Sequence, residues 1–179
     1  RRRLNSLLPP DIAVRSLHEV SDQAHARFDA TQRSYEYHIS TIKDPFRTDF
    51  AWLVFHELNL GAMQRAADLL FEFNDFSAFS RSNTQTKTNI CRIDGAVWQQ
   101  NGTQLVFHIS ADRFLRNMVR AIVGTLVEVG KGRLSKEDFR EIIKSKDRRQ
   151  AGESAPAHGL FLTEVKYPKE IFEWQMKKA

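Results

Sequence analysis

The chain has 179 residues, 41% of them hydrophobic and 13 of them Phe, with a formal net charge of +5. That length supports one sizeable core or two small ones, no apolar run approaches a membrane span, and the excess of Lys and Arg tilts towards a polyanionic partner such as nucleic acid. The single cysteine, Cys91, excludes an intramolecular disulfide and a multi-cysteine metal centre, and the six His show no close pair at ligand spacing. No metal is therefore expected, and with no signal-peptide pattern the chain reads as a cytoplasmic protein.

In chain order, "LLPP" predicts a turn and "DIAVRSLHEV" (11–20) a strand. "RSYEYHISTI" (33–42) puts Tyr35, Tyr37 and Ile39 on one face, the two-residue period of a strand. "AWLVFHEL" (51–58) is a short apolar run, strand or irregular. Asn59 is placed to cap a helix from Leu60 to about Phe73, with Met63, Ala66, Ala67 and Leu70 as its apolar stripe. The polar stretch 74–89, with Phe76 and Phe79 embedded, reads as a loop. Asn101-Gly102 between "CRIDGAVWQQ" and "TQLVFHISAD" is a hairpin signal, with both residues expected at positive φ.

Residues 111–130, "ADRFLRNMVRAIVGTLVEVG", read as one amphipathic helix. Phe114, Leu115, Met118, Ile122, Leu126 and Val129 share its apolar face. Arg113, Asn117, Arg120 and Gly124 form a polar seam on the other side, in a frame more suited to a lined cleft than to open solvent. "GKGRL" ends this helix, and Ser135 with Asp138 makes a capping-box start to the next, "SKEDFREIIKSK". "GLFLTEVKY" (159–167) is a final strand, stopped by Pro168. The order of elements implies an α+β fold, mostly antiparallel, with helices packed on one face of the sheet.

Three places carry candidate chemistry. Arg120 is either a partly exposed side chain whose stem packs on the domain or a guanidinium held to pair with a carboxylate or phosphate. Gly124, one turn on, permits close approach of a helix, a backbone or a ligand. Tyr35 is either a sheet-face aromatic or a stacking platform for a nucleobase, with Arg27 and Arg33 then meeting phosphates. His25 reads as a hydrogen-bonded structural histidine, with no triad pattern around it. In "DRRQAGESAPAHGL" (147–160), Gly152, Pro156 and Gly159 shape a loop, and Arg148 and Arg149 read by default as a solvated pair, with RNA contact as the alternative.

"HARFDATQRSYEYHI", "NDFSAFS", "ADRFLRNMVRAIVGTLVEVGKG" and "DRRQAGESAPAHGLFLTEVKYP", in this order, resemble the TruA family of tRNA pseudouridine synthases over about Leu4 to Pro168. The resemblance implies a pseudouridine-synthase fold, a mixed and mainly antiparallel sheet flanked by helices. It implies a homodimer that binds tRNA and isomerises uridines of the anticodon stem-loop, with no cofactor or metal and no membrane. An Asp of the family opens the reaction by attacking the uridine, at the sugar or at the base. By motif position, Tyr35 corresponds to the tyrosine that stacks on the target base. Arg120 corresponds to the arginine that pairs with the catalytic carboxylate. Arg27, Arg33, Arg113, Arg116 and Asn117 are the further candidates for substrate contact.

The family's catalytic Asp lies in a "Gly-Arg-Thr-Asp-Ala-Gly" segment, and no such segment occurs in this sequence. The expectation is a C-terminal portion of the enzyme, inactive alone. Residues 1–30 would then be a remnant of the N-terminal half and 31–179 the C-terminal domain. A free-standing RNA-binding module and a plain basic domain are the competing readings.

Overall fold

The structure, a computed structural model, describes residues 1–81 and 88–173. The chain divides into two compact units, one of residues 1–30 with the segment from Tyr167 and one of Thr31–Lys166.

In the first unit the three arginines and Leu4 begin a short helix, α1 (Arg2–Leu7). Residues 11–20 form no strand. The Asn5 side chain takes both backbone groups of Val14, donating to its carbonyl at 2.9 Å and accepting from its N–H at 2.7 Å. A side chain has thus replaced a neighbouring strand as the partner, and the stretch is mostly exposed. His25 is structural, as expected, its Nδ1 accepting from the backbone of Arg27 and Phe28. The Arg27 guanidinium lies 5.7 Å from the Phe28 ring centre.

The second unit holds a five-stranded mixed sheet. Its central strand, β1 (Gln32–Ser40), runs antiparallel to β4 (Gln104–Ala111) on one side. On the other side it meets β5 (Leu160–Lys166), antiparallel along residues 32–37. Beyond that the two-residue β2 (Trp52–Leu53) pairs in parallel with Ile39 and Ser40. β3 (Ile93–Asn101) pairs antiparallel with β4 and forms the outer edge. That edge is blunted by Gln64, which accepts from the Trp98 N–H at 2.8 Å and donates to the Ala96 carbonyl at 3.1 Å. The hairpin exists, but its two-residue turn is Gly102–Thr103, because Asn101 still pairs with Gln104. Only Gly102 takes a positive φ, 62°, as a turn with Gly at its first central position requires.

The helices are α2 (Leu60–Ala67), α3 (Met118–Gly130) and α4 (Lys136–Ser145). Asn59 caps α2 through the Ala62 N–H at 2.9 Å. The helix stops at Ala67 and passes into a 3₁₀ turn, Asp68–Glu72, short of Phe73. The Ser135–Asp138 capping box is present. In the polar stretch 74–89, Phe76 and Phe79 are fully buried, Ser77–Phe79 forms a 3₁₀ turn, and residues 82–87, Lys87 included, lie outside the described residues. The core joins Tyr37, Ile39, Phe107, Ile109 and Trp98 of the sheet to Met63, Leu70, Met118, Ile122, Leu126 and Phe139.

The segment 111–130 is not one helix. Ala111 ends β4, and α3 begins only at Met118. Between them Asp112 Oδ1 accepts from the backbone N–H of Arg92 at 2.8 Å and of Arg113 at 2.7 Å, and Asn117 turns left-handed at φ 68°. A short carboxylate that bonds nearby backbone, Asp112, and an Asn tolerant of positive φ compete with the helix where the apolar spacing would continue it. Of the expected seam, only Arg120 and Gly124 lie on a helix.

Candidate active site

Tyr35 and Tyr37 share the sheet face turned towards α3, one side-chain repeat or about 6.7 Å apart along β1. Tyr37 is fully buried, its hydroxyl donating to the Pro156 carbonyl at 2.7 Å. Burial pushes that hydroxyl far above the ordinary tyrosine range, against the opposing pull of the Arg120 charge. Tyr35 is half-buried, and its ring meets Phe114 edge-on at 5.2 Å. Burial raises its hydroxyl too, with Arg33 acting the other way. Opposite Tyr35 the pairing with β5 slips, since Ser34 faces Glu164 and Tyr35 faces Leu162, leaving Thr163 as a bulge.

Arg120 lies in the first turns of α3 and is partly buried. Its Nε donates to the Ala155 carbonyl at 2.6 Å, while the Ala155 N–H donates to the Arg120 carbonyl at 2.9 Å. Arg120 and Tyr37 therefore grip consecutive carbonyls, Ala155 and Pro156, of the same loop. Among the described residues no carboxylate pairs with Arg120 and its terminal amines make no hydrogen bond. The guanidinium is held by one nitrogen and presents the remaining fork.

Gly124 serves the loop rather than a ligand. A Cβ there would lie 1.8 Å from the Glu153 carbonyl oxygen, so only hydrogen permits the loop to pack on α3. The loop is fastened beside it. Thr125 Oγ1, fully buried, accepts from the Gly152 N–H at 3.0 Å, and Asn117 Nδ2 donates to Ser154 Oγ at 2.6 Å. Arg148 donates to the Ala151 and Gly152 carbonyls at 3.3 and 3.1 Å and to Ser154 Oγ at 2.9 Å. It is thus internal wiring rather than half of a solvated pair; Arg149 alone keeps that role, bonded to Asp147 at 2.7 Å. The sequence named Arg148 only as a solvated or RNA-contacting residue and did not single out Ser154 or Thr125, because their partners lie in a folded loop that no residue pattern reveals.

The other candidates are distributed. Arg33 Nη1 donates to the Asp112 carbonyl at 2.8 Å, placing it beside the segment that carries Arg113 and Phe114. Arg113 is partly buried and its charge reaches Cys91, whose thiol burial pushes up to about 11. Arg116 is exposed, its carbonyl accepting from the Arg81 N–H. Arg27 belongs to the other compact unit. Among the described residues no group of three or more His, Cys, Asp or Glu is arranged to hold a metal ion, and no helix is long and apolar enough to cross a membrane. A surface hollow lined by Asn59, Arg65, Lys131 and Lys136 lies elsewhere and offers no aromatic face.

The class of fold is α+β, a mixed sheet flanked by helices, with Tyr35 braced by Phe114 and Arg120 tethered to the Ala155 carbonyl. Comparison with known proteins gives the family: a sequence model described as tRNA pseudouridine synthase matches residues 66–168. The chain is 51% identical to tRNA pseudouridine synthase A of Bacteroides thetaiotaomicron, over 99% of this chain and 67% of that protein. It is 53% identical to the protein of the same name from Parabacteroides distasonis, over 95% of this chain and 68% of the relative. The one from Exiguobacterium sibiricum is 36% identical over 94% of this chain and 68% of its own length. This chain belongs to the tRNA pseudouridine synthase family.

Proposed function

We propose that the chain forms the arginine and tyrosine wall of a site that isomerises uridine to pseudouridine in tRNA, while the nucleophilic Asp comes from a segment outside these 179 residues. The observation that carries the proposal is Arg120. A partly buried guanidinium fixed at Nε and unpaired with any carboxylate among the described residues is a half-made ion pair, costly unless completed. A carboxylate docking on its free fork would be held ionised and oriented, as a nucleophile must be. Tyr35, half-exposed on the same sheet face and braced by Phe114, supplies a ring on which the target base stacks.

In this reading residues 1–30 are a remnant of the N-terminal half and 31–179 form the C-terminal domain. Arg33, Arg113, Arg116 and Asn117 contact substrate. In the same reading the target lies in the anticodon stem-loop and two copies of the enzyme act around the tRNA, in the cytoplasm. The net charge of +5 supports a polyanionic partner. Affinity for tRNA should fall steeply with added salt as phosphate contacts release counterions.

The test is turnover by the full-length synthase, read as tritium released from C5 of labelled uridine when that carbon takes over the bond to the sugar from N1. Arg120→Lys keeps the charge but loses the fork, so it should fold and bind tRNA yet lose most turnover, with Arg120→Ala losing more. Tyr35→Ala should weaken tRNA affinity by roughly 1–3 kcal/mol while Tyr35→Phe keeps it. Wild-type turnover by folded Arg120 variants overturns the proposal.

A further inference from the structure

The loop that grips Arg120 is itself gripped, and by one residue above all. Arg148 stands at the start of that loop, three to six positions from its own acceptors. Its two terminal nitrogens hold the Ala151 and Gly152 carbonyls and Ser154 Oγ together. Asn117, in the left-handed turn that starts α3, donates to the same Ser154 hydroxyl. Thr125, one residue past Gly124, fixes the Gly152 N–H. The next residue after this clasp is Ala155, whose carbonyl orients Arg120 Nε and whose N–H returns to the Arg120 carbonyl. No ion pair competes for Arg148 among the described residues, and it is partly buried in a loop with no apolar side chain large enough to anchor it otherwise.

We infer that Arg148 is a positioning residue for the reaction: with Asn117 and Ser154 it locks loop 151–156 so that the Ala155 carbonyl fixes the direction in which the Arg120 fork points. The inference rests on the role proposed above for Arg120. A lysine cannot replace Arg148, because one ammonium cannot bridge three acceptors in the plane that a guanidinium spans. If the clasp loosens, Arg120 keeps its charge but wanders, and a misplacement near 1 Å of a group that orients a reactant costs on the order of 100-fold in rate.

The experiment compares Arg148→Lys, Ser154→Ala and Arg120→Lys in the full-length synthase, with Lys144→Ala on the exposed face of α4 as control. Arg148→Lys should lower kcat about 10- to 100-fold with KM for tRNA within about twofold. It should also move the acid limb of the kcat–pH profile upward by about one unit, because a carboxylate less well paired with Arg120 protonates more easily. Ser154→Ala, which keeps the Arg148 charge and fold, should move the limb the same way by less. The control should leave it unmoved. If turnover in the Arg148 and Ser154 variants falls only in proportion to lost folded protein, with the limb unmoved, Arg148 is structural and the inference is wrong although Arg120 stands. If folded Arg120→Lys turns over like wild type, the reading beneath the inference fails with it.

Discussion

Two long connections in the sheet unit obey opposite rules. The segment between β1 and α2 is rich in aromatics, yet it leaves its phenylalanines in solvent: Phe46 is 91% exposed, Phe55 73% and Phe50 58%. The loop between α4 and β5 contains no aromatic residue before Phe161, yet side chains from β1, α3 and its own start satisfy its backbone almost residue by residue. The two connections differ in what fastens them: the first by backbone bonds such as Val54 N–H to the Ser40 carbonyl and Asn59 N–H to the Gly130 carbonyl, the second by side chains that reach its backbone. The loop fastened by side chains is the one that meets Arg120.

The sharpest way to break this comparison is at the closest approach. Gly124→Ala drives a methyl into the Glu153 carbonyl, and backbone cannot yield as a flexible side chain would. It should cost about 1–3 kcal/mol or more in a thermal or denaturant melt, and abolish most turnover of the full-length enzyme. Thr125→Val comes next. It keeps the shape but strands the Gly152 N–H beside a buried methyl, which should cost about 1–3 kcal/mol without creating a cavity.

A smaller effect is expected at Glu128, near the end of α3. Burial raises its carboxyl, but hydrogen bonds from Lys131 and Arg133 outweigh burial and leave it below the ordinary range. A depressed carboxylate stabilises the fold above its unfolded-state value, and that contribution is lost as pH falls through the lower folded one. Glu128→Gln should cost up to about 1 kcal/mol at neutral pH and nothing well below pH 4, read from melts across the acid range. Phe46→Ser in the open connection should change stability by less than about 0.5 kcal/mol, because so exposed a ring contributes almost no burial.

What the sequence disclosed follows the same division. The β1 face, the capping box, the hairpin and the final strand are set by side chains a few residues apart, and those were legible. Extending a helix back to residue 111 failed because Phe114 and Leu115 fit the helical period while Asp112 spends its carboxylate on neighbouring backbone and Asn117 turns left-handed. The strand expected over 11–20 failed for a similar reason at Asn5. In the candidate site, Arg120 and Tyr35 stand out by type and spacing. The role of Gly124 and the clasp made by Arg148, Asn117 and Ser154 do not, because they depend on two stretches about thirty residues apart coming into contact.

The central claim is that Arg120 is one half of an ion pair whose other half lies outside this chain. A crystal structure of the full-length synthase tests it most directly. The account predicts the carboxylate of the family's catalytic Asp within about 4 Å of the Arg120 terminal amines, with the Nε bond to Ala155 retained. An Asp placed elsewhere, with Arg120 turned to solvent or to another partner, would contradict it.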